Sequence, residues 1–392
     1  MSKKVVHMTS VHHPFDTRIY HKECLSLKRA GYDVTLIAPE TDAESAIDII
    51  PIKKYKNKCL RMAFSTYQVY KQAKKLQADY YHFHDPELLP VAWLLNKKAN
   101  VVIYDIHEDY ATSIMQKEYL PRPLRKLVTK TYKWMENVLA KDMALCLAEK
   151  YYQELYPRGQ VILNYPLLNE TLMAQTVNED SEDTGLPENK LLYTGNVDVD
   201  RGAYTQARLP LIDDDVTVYF FGKCAREVAE NMYETAGDEK DRLMIEGIDR
   251  YVPREAIDRQ YTNRRWLAGI ALFPPTEHYK RKELTKFFEY MSAGIPILCS
   301  DFPVWKAFID RYQCGIAVDP QEREAIQDAL EYLRLYPEEA AKMGRNGQKA
   351  VREELNWHKE EEKLLQWYEE IGEQARLDDG RKAREAGDEH AK

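Results

Sequence analysis

The sequence predicts an α/β protein built from two Rossmann-like domains. Short apolar segments of strand length alternate with helical segments along most of the 392 residues. This rhythm is typical of parallel sheets that carry helices on both faces. It pauses once, at the polar, acidic stretch NEDSEDTGLPENK (178–190), which we interpret as a linker. Two such domains facing each other predict a cleft that binds ligands at the carboxyl ends of the strands.

The individual elements follow from apolar runs bounded by polar residues. Strands are predicted in the first half at Val5–Met8, Val34–Ala38, Tyr80–His84, Val101–Asp105, Ala144–Leu147 and Val161–Leu163. In the second half they are predicted at Lys190–Tyr193, Val216–Gly222, Met244–Glu246, Ala271–Phe273, Pro296–Ser300 and Gly315–Val318. Helices are predicted in the first half at Thr17–Ala30, Ser65–Leu76, Leu88–Lys97 and Leu124–Ala140.

Composition is that of an ordinary globular protein. The chain is 44% hydrophobic and 31% charged, and its longest apolar stretches have strand length, so no membrane-spanning helix is expected. The start, MSKKVVHMTS, lacks the long apolar segment of a signal peptide. Six scattered cysteines without a C-x-x-C pair are typical of reduced thiols. We therefore expect a cytoplasmic protein.

The net charge of −8 conceals an asymmetry between the two halves. Residues 1–165 carry 25 Lys and Arg against 18 Asp and Glu, a net of +7, whereas the remainder carries 31 against 46, a net of −15. Five cations and no acid lie in LPRPLRKLVTKTYK (120–133), which also offers an apolar helix face of Leu124, Leu127, Val128 and Tyr132. Two interpretations stay open: attachment to an anionic membrane surface, or a solvated basic helix packed on its own domain.

Several ligand classes are excluded by missing motifs. The first strand is followed by TSVHHPFDTR, and neither G-x-G-x-x-G nor a P-loop lysine signature occurs, so NAD and P-loop ATP are not expected. The pair His12–His13 and the motif HFHD (82–85) lack a further His or Cys at a supporting spacing, so we expect no metal. The acidic triplets DVD (198–200) and DDD (213–215) match an acidic metal-binding motif, but charged loops often produce such short patterns, so we do not interpret them as a metal site. The acidic total charge argues against nucleic-acid binding.

One segment of the second half suits a phosphate. In LLYTGNVDVDRG (191–202) a strand leads into Gly195 and Asn196, and Arg201 follows just before a predicted helix. A cation beside backbone N–H groups at a helix start is an arrangement that binds phosphate. The alternative is an ordinary surface arginine before a helix.

A second segment, KRKELTKFFEYMSAG (280–294), suits a phosphate and a polyol together. Lys286 lies in the first turn of a short helix, where Leu284 and Thr285 offer backbone N–H groups. Glu289 follows one turn later on the same side. A carboxylate accepts two hydroxyl hydrogen bonds, and a ribose offers a vicinal pair. The alternative is a plain Lys–Glu surface pair.

Together these segments resemble the retaining glycosyltransferases of family 4, in the group 1 type found in bacterial polysaccharide synthesis. The likeness extends over nearly the whole chain, and its most characteristic stretch is TKFFEYMSAGIPILCSDFPVW (285–305). The other matching segments are DTRIYHKECLSLKRAGYDVTLIAP (16–39), FHDPELLP (83–90), VIYDIHEDY (102–110), LLYTGNVDVDRG (191–202), CGIAVDP (314–320) and NWHKEEEKLLQWYEEI (356–371).

The resemblance implies a GT-B fold, with two Rossmann-like domains, a cleft between them and a C-terminal crossover helix. The N-terminal, acceptor-side domain is then expected at 1–175, together with a C-terminal helix at about 356–372. The nucleotide-sugar-binding domain is expected at 185–355, and residues 373–392 form a polar tail.

The resemblance also implies residue roles in the nucleotide-binding domain. Glu289 corresponds to the second glutamate of the family's E-x7-E motif, which holds the ribose. The backbone amides of Leu284 and Thr285 correspond to those that touch the diphosphate. Arg201 stabilises the diphosphate leaving group together with Lys286, beside the turn at Gly195 and Asn196.

In the first domain, His107 corresponds to a histidine that contacts the donor sugar near the reacting carbon. Asp16 and Arg18 fall in the first loop, which faces the acceptor and the phosphates. The sequence departs from the family at Arg281, where the first motif glutamate normally holds sugar hydroxyls, and at Asn196, where many members have arginine.

The implied activity is transfer of a hexosyl or N-acetylhexosaminyl group from a UDP- or GDP-sugar, with retention, without a metal or another cofactor. The acceptor is expected to be a saccharide or lipid-linked molecule, met at the inner face of the cell membrane. Two other functions stay open: a sugar-nucleotide epimerase of the same fold, and a catalytically inactive partner protein, which Arg281 permits.

Overall fold

The chain forms two compact units. The computed structural model describes residues 2–53, 55, 57, 60–97, 99–115, 121–174, 188–263, 266–277 and 279–390. One unit is Met1–Asn164 with Trp357–Lys392, and the other is Tyr165–Asn356. The change of unit at 164/165 comes earlier than the predicted boundary at 175. Most of the predicted linker, 178–187, lies outside the described residues.

The first unit contains, in its described part, a seven-stranded parallel sheet of order β3-β2-β1-β4-β5-β6-β7. The order turns at β1 and β4, so their carboxyl ends form the switch point where α/β folds bind ligands. The strands are β1 (Lys4–Met8), β2 (Asp33–Pro39), β3 (Asp48–Ile52), β4 (Tyr80–Phe83), β5 (Val101–Ile106), β6 (Ala144–Leu147) and β7 (Gln160–Val161).

Helices cover both faces of this sheet. On one face, Val69, Leu89 and Leu145 belong to a continuous buried core, and on the other face Ile19 and Tyr368 belong to a second one. The helical segments are Thr17–Cys24, Leu25–Arg29, Arg61–Ser65, Thr66–Leu76, Pro86–Leu88, Leu89–Leu95, Tyr110–Met115, Arg122–Leu139, Tyr152–Leu155 and Trp357–His390.

The second unit repeats the architecture with a six-stranded parallel sheet, counted over its described residues, of order β10-β9-β8-β11-β12-β13. Its strands are β8 (Glu188–Thr194), β9 (Thr217–Cys224), β10 (Leu243–Ile248), β11 (Trp266–Ala271), β12 (Ile297–Ser300) and β13 (Gly315–Val318). Its helical segments are Glu170–Ala174, Val199–Arg201, Ala203–Ala207, Leu209–Ile212, Arg226–Ala236, Gly237–Arg242, Arg254–Asn263, Thr285–Ser292, Pro303–Tyr312, Arg323–Leu335 and Pro337–Glu353.

The predicted pair of parallel sheets with helices is confirmed, with two corrections. Strand β3 was not predicted; it contains Pro51, which a ladder tolerates because β3 is an edge strand. A strand was predicted at Ala271–Phe273, but the observed strand β11 is Trp266–Ala271 and ends at the residue where the prediction began. Because glycine is uncommon in strand interiors, Gly269 made this strand difficult to predict from the sequence. A Cβ atom there would lie 2.5 Å from the Tyr290 ring, so the strand needs glycine where a helix packs closely.

The C-terminal helix packs on the first unit and is longer than predicted. It runs over Trp357–His390, so the expected polar tail continues the helix. Trp357 is 1% exposed and its indole N–H donates to the Ser26 hydroxyl over 3.0 Å. None of the helices in the described residues is both long and apolar enough to cross a membrane.

Candidate functional site

The turn after β8 in the second unit is built around two glycines. Gly195 has φ +97° and Gly202 has φ +76°, a backbone region that other residues adopt only with strain. A Cβ atom on Gly202 would lie 2.1 Å from the Leu272 carbonyl oxygen, so this turn lies directly against the end of β11. The Asp198 carboxylate accepts from the Arg201 backbone N–H over 2.9 Å and fixes the helical turn that carries Arg201.

Arg201 is held at the carboxyl edge of the sheet by neutral and acidic partners. Its Nε donates to the Tyr279 hydroxyl over 3.0 Å and lies 3.5 Å from the nearer Asp198 oxygen. Partial burial alone would lower the pKa of Arg201, but Tyr279 and the nearby acids raise it. The side chain is therefore a fixed cation that is 34% exposed and can meet a ligand.

Lys286 is a buried cation that the described residues leave without a hydrogen-bond partner. It is 9% exposed, and its Nζ lies 3.4 Å from the centre of the Tyr193 ring and 4.9 Å from that of Phe273. Burial, and then the charge of Arg201, hold the pKa of Lys286 well below its usual range. A buried amino group beside a fixed cation makes a site for an anion carrying more than one charge.

The helix Thr285–Ser292 adds its N-terminus to this site. Leu284 at the cap position is extended (φ −89°, ψ 130°), and no side chain of a described residue caps the first turn. The N-terminal N–H groups of a helix have no partners within it, and its dipole favours negative charge there. The predicted positions of Leu284 and Thr285, beside Lys286, are thus consistent with a phosphate site.

Glu289 lies one turn further on and is already hydrogen-bonded. Its Oε2 accepts from the Tyr261 hydroxyl over 2.8 Å, and its Oε1 pairs with the Arg254 guanidinium. Tyr261 also lies 3.0 Å from the Thr194 hydroxyl at the end of β8. With 22% of its side chain exposed, Glu289 keeps lone pairs for further hydroxyl donors. It is a fixed acceptor rather than half of a Lys–Glu surface pair.

Sequence reasoning missed Arg254 and Tyr261. Both lie in the helix Arg254–Asn263, about thirty residues before Glu289, in a segment without a recognisable motif. Asn196 is exposed, and its backbone carbonyl accepts from the Tyr193 hydroxyl over 2.8 Å.

In the first unit, His12 and His107 meet at the carboxyl ends of β1 and β5. Their ring centres lie 5.3 Å apart. His12 Nε2 lies 3.3 Å from an Asp85 oxygen and its Nδ1 lies 3.7 Å from an Asp16 oxygen. Partial burial would lower the pKa of His12, but Asp16 and Asp85 raise it. His12 and Asp85 were not assigned a role from the sequence, although both lie in quoted motifs.

His107 is held from both sides of its ring. Its Nδ1 lies 3.0 Å from Asp105 Oδ2, and its Nε2 donates to the His84 carbonyl oxygen over 3.0 Å. The side chain is 15% exposed. The ring is thus fixed at the edge of the sheet, and its contact with a donor sugar stays a prediction.

Arg18 does not lie on the first loop, and that part of its predicted position is wrong. Asp16 caps the helix Thr17–Cys24 by accepting from the backbone N–H of Arg18 and Ile19, over 2.9 and 3.0 Å. Arg18 therefore points into the unit, where it is 4% exposed and donates to both oxygens of Asp105, over 3.0 and 2.8 Å. It supports the carboxylate that holds His107, while Asp16 stays 31% exposed.

The histidines of HFHD have a neighbour that their spacing could not reveal. Strands β1 and β4 are paired with His7 opposite His82. This register brings His7 beside His82 and His84, with Glu23 close to all three. A third histidine therefore lies beside the motif in the fold, although none lies at a supporting spacing in the sequence.

Comparisons with known proteins agree with this architecture. Residues 5–155 match the family described as Glycosyltransferase Family 4, and residues 285–350 match Glycosyl transferases group 1. No curated protein matches the chain. Among solved structures, it is similar to sucrose-phosphate synthase from Thermosynechococcus elongatus, with 16% identity, a TM-score of 0.71, and coverage of 94% of this chain and 99% of that one.

Two further structures are similar over nearly their full lengths. WaaG, a glycosyltransferase involved in lipopolysaccharide biosynthesis, is 15% identical with a TM-score of 0.65, covering 92% of this chain and 98% of that one. HepE from Anabaena, in complex with UDP and glucose, is 12% identical with a TM-score of 0.66, covering 94% and 100%. At these identities the similarity establishes a shared fold.

Proposed function

Since this chain is a group 1 glycosyltransferase of the family 4 type with the GT-B fold, we propose that its donor is a nucleotide-diphosphate sugar. The proposed reaction moves a hexosyl or N-acetylhexosaminyl group to a saccharide or lipid-linked acceptor, with retention, in the synthesis of a cell-surface polysaccharide. The observation that carries the proposal is the buried Lys286 side chain beside Arg201, whose Nζ has no hydrogen-bond partner among the described residues.

The diphosphate is assigned to Arg201, Lys286 and the first turn of Thr285–Ser292. An uncompensated buried cation is unfavourable, so a bound anion relieves a cost that the free protein already bears. The turn at Gly195 and Asn196 lets the backbone approach this anion closely. HepE, which has this fold, binds UDP and UDP-glucose, and this supports a UDP-sugar, with a GDP-sugar as the alternative.

The ribose is assigned to Glu289. Tyr261 and Arg254 hold its two oxygens in place and keep the carboxylate oriented before the ligand arrives. Such preorganisation lowers the entropy cost of binding. The sugar-binding position of the family's first glutamate is occupied by Arg281, so this site favours the nucleotide without identifying the sugar.

Catalysis is proposed to depend on charge stabilisation of the leaving group. Breaking the anomeric C–O bond places negative charge on the diphosphate. Arg201, Lys286 and the helix N–H groups are fixed before the reaction and stabilise this charge as it develops. In the first unit, His107 positions the donor sugar, and Asp16 and the neighbouring His12 face the acceptor.

The acceptor is proposed to be met at an anionic membrane surface, on the inner face of the cell membrane. The helices Thr66–Leu76, Leu89–Leu95 and Arg122–Leu139 pack side by side on one face of the first sheet. Apolar side chains on their outer sides are half exposed or more: Tyr67, Trp93, Leu94, Leu127, Trp134 and Val138. The three helices carry eight Lys and Arg, and Glu136, their single acidic residue, is buried. This combination suits a peripheral interface.

Vesicle co-sedimentation tests the membrane assignment. Binding should require anionic lipid, weaken with salt and fall in the double variant Leu127→Ser with Trp134→Ser, relative to a Leu335→Ser control on the second unit. Binding to neutral vesicles alone, or none at all, would count against it.

Product analysis tests the transferase activity. The chain should convert a UDP- or GDP-sugar and an acceptor extract into a glycosylated product, and Arg201→Ala should lose this activity while staying folded. Conversion of the donor sugar without acceptor would indicate the epimerase. Nucleotide binding without any turnover would indicate the inactive partner protein.

A further inference from the structure

A second cluster of chemically active side chains lies inside the first unit. His7 on β1, Glu23 on the helix Thr17–Cys24, and His82 and His84 at β4 converge from three segments, and each is 0% exposed. One oxygen of Glu23, Oε2, lies 3.9 Å from His7 Nδ1, from His82 Nδ1 and from His84 Nε2. All four ligand atoms lie within 4.8 Å of one another.

The contacts of the described residues do not satisfy this cluster. Glu23 Oε1 lies 3.1 Å from Arg18 Nε, but that nitrogen has a single hydrogen, which it donates to Asp105. Both oxygens of Glu23 therefore lack a hydrogen bond within the described chain, as do His7 Nε2 and His82 Nε2. Leaving a carboxyl group buried without a hydrogen-bonding partner is costly.

The charges in the cluster leave room for another cation. Arg18 is shared between two carboxylates, Asp105 and Glu23. A buried carboxylate that shares its cation with a second carboxylate is not fully compensated.

We infer that His7, Glu23, His82 and His84 bind one divalent transition-metal ion, with zinc as the best match. Three neutral imidazoles and one carboxylate form a nitrogen and oxygen ligand set that zinc accepts in tetrahedral geometry. This ion would stabilise the first unit from its interior. It is separate from the diphosphate site, which lies in the second unit.

The surrounding residues match what metal-bound histidines need. Asp105 Oδ2 accepts from His84 Nδ1 over 3.0 Å, which leaves the lone pair of His84 Nε2 facing the cluster, where it accepts from His7 Nδ1 over 2.9 Å. A carboxylate behind a ligating histidine fixes its tautomer and raises its basicity. Arg18 supports Asp105 and lies beside Glu23, so both carboxylates are oriented from behind.

Binding requires small, specific movements. Zn–N bonds of about 2.0–2.1 Å set ligand atoms roughly 3.3 Å apart in a tetrahedron. The three 3.9 Å separations must therefore shorten, and the hydrogen bond of 2.9 Å between His7 Nδ1 and His84 Nε2 must open. The Tyr368 hydroxyl, 2.8 Å from His82 Nδ1, must give up that nitrogen. The ligand atoms lie within 4.8 Å of one another, so no separation shortens by more than about 1.5 Å. The His7 proton must also move from Nδ1 to Nε2, so that Nδ1 offers its lone pair.

Metal content of the untagged full chain tests the inference. After expression with added zinc, or after chelation and reloading with Zn²⁺ alone, we expect one ion per chain by elemental mass spectrometry. Loading with Co²⁺ should give the visible absorption of a four-coordinate ion. Removal of the ion should lower the melting temperature, because binding stabilises the folded state.

Paired variants locate the ion. His7→Gln and His82→Gln should lose it, while His358→Gln, which is exposed on the C-terminal helix, should retain it. If the two buried variants fail to fold, the wild-type measurement still decides. No stoichiometric metal in wild-type protein after reloading, or metal retained by a folded His82→Gln, would overturn the inference.

Discussion

Replacing Lys286 with methionine should make the protein more stable and less active. The substitution keeps the length of an unbranched side chain but removes a buried charge that the described residues leave unpaired. Exchanging a buried ionic group for an apolar one of similar volume often stabilises by about 1–4 kcal/mol. Loss of the cation–π contact with the Tyr193 ring costs about 2 kcal/mol and offsets part of this stabilisation. We therefore expect a net gain of up to roughly 2 kcal/mol in the free energy of unfolding, measured in urea without ligand.

The same variant should lose transition-state stabilisation. Removing one preorganised electrostatic group costs about 2.7–4 kcal/mol, which is roughly a 100- to 1,000-fold loss in kcat. Lys306→Met is the matched control, because Lys306 is 56% exposed on Pro303–Tyr312 and its Nζ lies 4.0 Å from the exposed Asp310 carboxylate. It should change stability by less than about 0.5 kcal/mol and leave turnover unchanged.

The pH dependence gives a separate check on Lys286. The pKa of this group is lowered in the folded state, so the unfolded chain binds more protons between the folded pKa and about 10.4. Between these two pKa values the free energy of unfolding of wild type should therefore rise with pH relative to that of Lys286→Met. The greater stability of the variant should shrink accordingly. A variant that is less stable than wild type at pH 7 and fully active would contradict the assignment of Lys286 to the diphosphate site.

Three further predictions concern other parts of the two units. Tyr261→Phe, which removes a hydroxyl from Glu289, should raise the donor KM several-fold with little change in kcat; an unchanged KM would contradict the ribose assignment. Gly202→Ala should lower the melting temperature more than Gly195→Ala, because only at Gly202 does the added Cβ meet backbone; equal losses would contradict this. Arg18→Leu should cost about 3–5 kcal/mol in urea at pH 7, since it leaves buried carboxylates unpaired. Despite burial, Arg18 and then His107 hold the pKa of Asp105 low in the folded state. The stability that the ionised Asp105 contributes is therefore lost as pH falls through this folded pKa, and the difference in unfolding free energy between wild type and Arg18→Leu should narrow below about pH 4. A difference that stays constant with pH would argue against this pairing.

Periodicity was sufficient to predict the two parallel sheets, because buried parallel strands are continuous apolar runs. It failed where composition hides a strand. Pro51 masked an edge strand, and Gly269 masked a central strand that needs glycine beneath Tyr290. Both exceptions arise from tertiary contacts that a local pattern does not contain.

The candidate site was only partly predictable for the same reason. Lys286 and Arg201 were found because a helix start and a strand-ending turn have local signatures. Arg254 and Tyr261 were missed because they reach Glu289 from a distant helix, and Arg18 was misplaced because a helix cap turns it inward. His7 joined His82 only through the register of two strands.

The assignment of the diphosphate to Lys286 and Arg201 is best tested by binding of nucleotide sugars to the whole chain. In a thermal-shift panel of UDP, GDP and their sugars, one nucleotide series should raise the melting temperature of wild type, equivalent to about 2.7 kcal/mol at a hundredfold excess over Kd. Lys286→Met should lose most of this shift, and Lys306→Met should keep it. If wild type responds to none of them, or if Lys286→Met responds like wild type, the assignment of the diphosphate to Lys286 and Arg201 is contradicted.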